Sequence, residues 1–142
     1  MHDERAVAGI DDLTLLIVAV VAFSLFFASL TAAYVRRESL ERGNALQGLA
    51  DSLLDAVLRD PRWTTEPAFF VAERLAAANG TALANVAAGH PFVVVVRNLV
   101  TNGSWILASG TPAGDRRVAA TSANVQGSHV DPARVSATVW GP

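Results

Sequence analysis

Two hydrophobic periods divide this chain. From Leu13 to Val35 there is no charged residue, and at ~1.5 Å per residue the run covers roughly 30 Å, the thickness of a bilayer's hydrocarbon core. Its polar interruptions are Thr14, Ser24, Ser29 and Thr31, whose hydroxyls can return to the helix's own carbonyls, and Tyr34 stands where an interfacial aromatic would. Arg36 and Arg37 close the run. Beyond them Leu40, Leu46, Leu49, Ala50, Leu53, Leu54, Val57 and Leu58 recur at three- and four-residue spacing, so the helix is expected to continue as an amphipathic one. Gly43 and Gly48 weaken it, and "RDPRWTTEP" (59–67) ends it, because Pro61 and Pro67 disfavour helix in the residues before them.

After that break the period shortens. Ala68 to Ala78 still reads as a short helix, with Phe69, Phe70, Ala72, Leu75 and Ala76 on one side and Asn79-Gly80 as the stop. "FVVVVRNL" (92–99) is β-branched, and Asn102-Gly103 between two strand-like runs predicts a hairpin. "RVAATSANV" (117–125) and "ARVSATVW" (133–140) read as two further strands; in the second, Val135, Ala137 and Val139 alternate with Ser136, Thr138 and Trp140. The expected fold class is therefore α+β: a long N-terminal helix, a short helix, and an antiparallel sheet of about four strands. Trp63, Trp105, Trp140, Phe69, Phe70 and Phe92 are the candidate core aromatics.

Composition narrows the function. A chain of 142 residues holds one membrane element and one small domain. The net charge of −2 and the scatter of the arginines provide no clustered basic face for phosphates, so nucleic acid is not an expected partner. Without cysteine there is no disulfide, thiol catalysis or thiolate metal site. No phosphate loop, GxSxG or dinucleotide turn is present, and His90, His129, Asp115 and Asp131 are the only acid/base or metal set, with no spacing to support it. The expectation is a non-enzymatic protein with no catalytic, cofactor-binding or metal-binding residues and no cofactor.

The head of the chain, "ERAVAGIDD" (4–12), changes this picture. A secretory signal would have a shorter apolar core and a cleavage site after it, which "YVRRES" does not offer. The segment instead resembles the class III signal peptide of archaeal type IV pilins: a short polar head, a basic residue, a small residue, a cut, and a mature chain that begins almost at once with its hydrophobic helix. On that resemblance Arg5 is the basic position, Ala6 the residue before the cut and Val7 the first mature residue. Asp11 becomes the fifth, where many pilins carry Glu. The resemblance implies a signal peptide over 1–6, a transmembrane and assembly helix over 7–35, an amphipathic extension over 36–60, and an extracytoplasmic α+β head over 61–142. It also implies the partners: the membrane, a prepilin peptidase, and other pilin subunits as homo- or hetero-oligomer, with Asp11 pairing with the N-terminal amine of a neighbour. A carboxylate at the edge of the hydrocarbon is costly unless it has such a partner. The location implied is a single-pass cell-membrane protein that passes to a surface filament used in adhesion or secretion.

Two observations bear on orientation. "NGT" at Asn79 and "NGS" at Asn102 are N-glycosylation sequons and also ordinary Asn-Gly turns; glycosylated, they would mark an external face. Against this, Arg36, Arg37 and Arg42 follow the span while only Arg5 precedes it, a distribution that by itself puts the C-terminal part in the cytoplasm. The alternative reading is a non-assembling single-pass membrane protein with a small extracytoplasmic binding domain, whose Asp11 and Asp12 sit among headgroups and complement a helix N-terminus.

Overall fold

The structure, a computed structural model, describes residues 3–141, with side chains described from Leu13 onward. A single helix, α1, runs Asp3–Arg59. It ends where the chain reaches Asp60-Pro61, and the end is tied off locally. The Asp60 carbonyl accepts from the Trp63 and Thr64 amides at 3.2 and 3.0 Å. The Trp63 indole donates to the Val57 carbonyl at 2.9 Å, satisfying one of the acceptors that every helix terminus leaves open.

Two compact units follow from the contacts, one up to Glu41 and one from Arg42 onward. The second contains the sheet: β1 Thr64–Glu66, β2 Phe69–Val71, β3 Phe92–Asn98, β4 Ser104–Ser109, β5 Asp115–Gln126 and β6 Val130–Gly141, in the order β1-β2-β5-β6-β3-β4. Five-residue helix α2, Ala72–Ala76, and a 3-10 turn at Gly80–Leu83 lie between β2 and β3. The fold is thus α+β, with the hairpin at Asn102-Gly103 and the two C-terminal strands where alternation places them. The sheet has six strands rather than about four, and it is mixed: β2 pairs in parallel with β5, Phe69–Val71 against Asn124–Gln126.

The short helix expected over 68–78 is only partly helical, and backbone geometry explains the difference. Ala68 takes a positive φ of 64°, which stops a helix from starting at Pro67. Its carbonyl accepts from the Asn124 amide at 2.8 Å, steering the next three residues into the sheet. Phe70 is then fully buried on the strand's inner side, and the helix begins only at Ala72.

The core lies between the second part of α1 and one sheet face. Leu46, Ala50, Leu53 and Val57 are buried at four-, three- and four-residue steps. Facing them, β5 and β6 present small residues in register, Ala119 opposite Ala137 and Ala123 opposite Ala133, so the helix can approach closely. Gly141 completes this surface, since a Cβ there would fall 2.6 Å from Leu46 Cδ1. Burial of Leu53 and Val57 contributes about 1.5–3 kcal/mol each. Trp63 belongs to this core, as do Phe70 and Phe92, whereas Trp105 packs against its border.

Candidate functional site

The most unusual surface of the chain is the apolar stretch of α1. Every side chain from Leu13 to Val35 is exposed, with Leu15 at 71% and Phe26 at 59%, and this part of the helix is long and apolar enough to cross a membrane. A soluble chain does not keep such a surface in water, because single apolar patches of more than a few hundred Å² mark an interface or a lipid contact. Three of the hydroxyls inside it are satisfied within the helix: Ser24 Oγ donates to the Val20 carbonyl at 2.8 Å, Ser29 Oγ to the Phe26 carbonyl at 2.7 Å and Thr31 Oγ1 to the Phe27 carbonyl at 2.9 Å. This is what burial in hydrocarbon demands of a hydroxyl. Phe26 and Phe27 meet edge to face at 6.0 Å. At the end of the stretch Arg37 Nε pairs with Glu41 at 2.8 Å across one turn, so part of the arginine charge that follows the span is locally offset.

Arg5, Ala6, Val7 and Asp11 fall in the first turns of α1, and their side chains lie outside the described residues. The two sequons can be placed. Asn79 is exposed in extended backbone, and its Oδ1 accepts from the Thr81 hydroxyl at 2.6 Å. Gly80 between them is buried against the backbone of Ala108. Asn102 sits at a positive φ of 59° in the β3–β4 hairpin, and residues 101 to 104 are all exposed. Arg97 Nη2 donates to its Oδ1 at 3.1 Å.

The four acid/base candidates do not converge. His90 Nδ1 contacts the Trp140 carbonyl at 3.1 Å and Asp115 lies opposite Gly141, both at one end of β6. Asp131 accepts from Asn98 Nδ2 at 2.8 Å near the other end, where His129 contacts the Ser128 hydroxyl. Ten residues of strand, roughly 30 Å, separate the two pairs. Among the described residues no group of three His, Asp or Glu could hold a metal ion.

Not anticipated from the sequence is the arrangement of arginines on the sheet face turned away from α1. Register puts Arg97 of β3 directly opposite Arg134 of β6, flanked by Ser104 on β4 and Ser122 on β5. No carboxylate pairs with either guanidinium among the described residues. Outward parity of each strand was the only signal available for these residues, and it does not reveal which strands are neighbours.

The long apolar helix and the antiparallel-rich sheet packed on its later turns make a pilin-like architecture. No protein family, curated protein or solved structure matches the chain.

Proposed function

We propose that the protein is a type IV pilin-like subunit of an archaeal-type surface filament, which acts by assembly and not by catalysis. The observation that carries this reading is one helix with two surfaces. Its Leu13–Val35 stretch is wholly exposed and apolar, while Leu46 to Val57 of the same helix form the core of a folded head. Such a helix can exchange lipid for neighbouring helices while its head stays folded outside. The class III signal over residues 1–6 is the substrate of a prepilin peptidase, and cleavage after Ala6 makes Asp11 the fifth residue of the mature chain. In the filament Asp11 pairs with the amine of an adjacent subunit and fixes the axial register. The exposed sequons Asn79 and Asn102 fit an outward head and are candidates for N-glycosylation.

The second reading is the non-assembling single-pass protein, and the arginine excess after the span favours it. One comparison separates them: Asp11→Ala against Asp12→Ala, expressed equally, with filament yield as the readout. Asp11→Ala removes one member of a desolvated pair and weakens assembly by about 3 kcal/mol per contact. Asp12, one helical step of about 100° away, matters less, by about 1 kcal/mol or under. Equal, mild effects would leave a plain anchor. Protease treatment of intact cells carrying a tag at Pro142 checks the orientation, and a tag that stays protected until the membrane is opened refutes the filament reading.

A further inference from the structure

The outer face of the sheet carries three arginines, Arg97, Arg116 and Arg134, and no carboxylate within ion-pair distance of them among the described residues. This occurs in a chain whose net charge is −2. Like charges directly opposite one another on a sheet are destabilising, and Arg97 and Arg134 are such a pair. All three are exposed, and Arg97 is held in place by its bond to Asn102 Oδ1. Beside Arg134 a shallow depression of about 330 Å³ brings in Ala120 and Ser122. At the other end of the face Arg116 lies opposite Trp140, six residues of β6 from Arg134, which is roughly 20 Å.

We propose that this face binds an extended polyanion of the carboxylated or sulfated polysaccharide class. Arg97 and Arg134 together grip one oxyanion, since a guanidinium offers a planar fork of donors that matches a carboxylate or sulfate. Arg116 takes a second oxyanion roughly 20 Å along the polymer. Ser104 and Ser122 flank the arginine pair, and Ser136 and Thr138, the outward residues of β6 between Arg134 and Trp140, supply hydroxyls for the sugar between. Two cationic stations so far apart on an open, flat face suit a long chain and not a small enclosed ion. The choice of a polysaccharide rests on the outward placement of the head proposed above, but binding itself does not, and the purified full chain in neutral-lipid nanodiscs tests it directly.

The probe is polygalacturonate, with neutral dextran and duplex DNA of equal charge as comparators. The expected result is binding to polygalacturonate alone, weakened by raising salt from about 0.1 to 0.5 M because exposed charges are screened. Arg134→Gln and Arg97→Gln should each raise Kd about tenfold, the loss of a charge-assisted hydrogen bond. Their melting temperatures should stay level or rise, because each relieves the like-charge contact. That combination separates a binding role from a structural one. No binding, unchanged binding in both variants, preference for DNA, or a melting temperature that falls in step with affinity would overturn the proposal.

Discussion

Three glycines in the head unit stand in such different surroundings that the same substitution, to alanine, should move stability in different directions. Gly48 is exposed on α1 with nothing within 4 Å of a built Cβ, so Gly48→Ala adds only helix propensity and stabilises by about 1 kcal/mol. At Gly43 the new Cβ would lie 2.7 Å from Arg117 Nη2, the far end of a flexible side chain. The guanidinium swings aside and the propensity gain is largely offset, for a net change near zero. Gly80 is the opposite case. A Cβ there would meet Ala108 at 2.2 Å from its carbonyl oxygen, 2.6 Å from its carbonyl carbon and 2.8 Å from its nitrogen, all backbone atoms of β4. An ordinary contact needs about 1 Å more, and neither strand nor turn can yield that without breaking the packing of Leu83, so the overpacking cost is about 1–3 kcal/mol. The lower entropy of the unfolded alanine chain returns about 0.4–1 kcal/mol of it. In a unit of roughly a hundred residues, each kcal/mol moves the melting temperature by about 4–8 °C. Thermal unfolding followed by tryptophan fluorescence should therefore rank the variants Gly48→Ala above wild type, Gly43→Ala close to it, and Gly80→Ala below it by about 5–10 °C, the net of the two opposing terms at their midpoints. Gly80→Ala keeps the "N-x-T" sequon, so a loss of stability cannot be assigned to a lost modification. A Gly80→Ala protein as stable as wild type would refute the close approach of the Gly80–Leu83 turn to β4.

Other outcomes follow from the same contacts. Leu53→Ala empties a fully buried position between α1 and the sheet and should cost about 2.7–5 kcal/mol by denaturant titration, whereas Leu40→Ala, at an exposed position, should cost under about 0.5 kcal/mol. The Arg62 guanidinium, donating to the Asp60 carboxylate at 2.9 and 3.0 Å, holds its carboxyl below the usual range, helped by the Arg62 amide and opposed by burial. A lowered folded pKa means that this contribution is fully present above the unfolded value and is lost as pH falls through the folded one. Wild type should thus exceed Asp60→Asn in stability by about 1 kcal/mol or less at pH 7, Arg62 being largely exposed, with the gap closing below pH ~4. A gap that widens in acid would contradict that pairing.

How far the fold could be read from the chain depended on the range of the interactions. The helix and its buried stripe at Leu46, Ala50, Leu53 and Val57 are fixed by local spacing, and so are the Asn102-Gly103 hairpin and the alternation of Val135, Ala137 and Val139. Strands β1 and β2, three residues each, carry too few positions to show a period. In addition, Phe69, Phe70, Ala72 and Leu75 satisfy a helical one. What makes Phe69–Val71 a strand is its parallel pairing with Asn124–Gln126, a partner far along the chain. The Arg97–Arg134 juxtaposition was hidden for the same reason: it exists only once β3 and β6 are neighbours. The residues proposed for processing, Arg5, Ala6 and Val7, show the reverse. Their meaning lies in a linear pattern, and the fold adds only that they belong to the first turns of α1.

The central claim, that this chain is processed as a prepilin and assembled through its helix, is tested most directly by the N-terminus of the protein recovered from sheared cell-surface material. Intact-mass and N-terminal peptide analysis should find Val7 as the first residue, and Arg5→Glu or Ala6→Leu should hold the uncleaved chain in the membrane fraction. A chain that starts at Met1, found in membranes and never in the sheared fraction, would contradict the account.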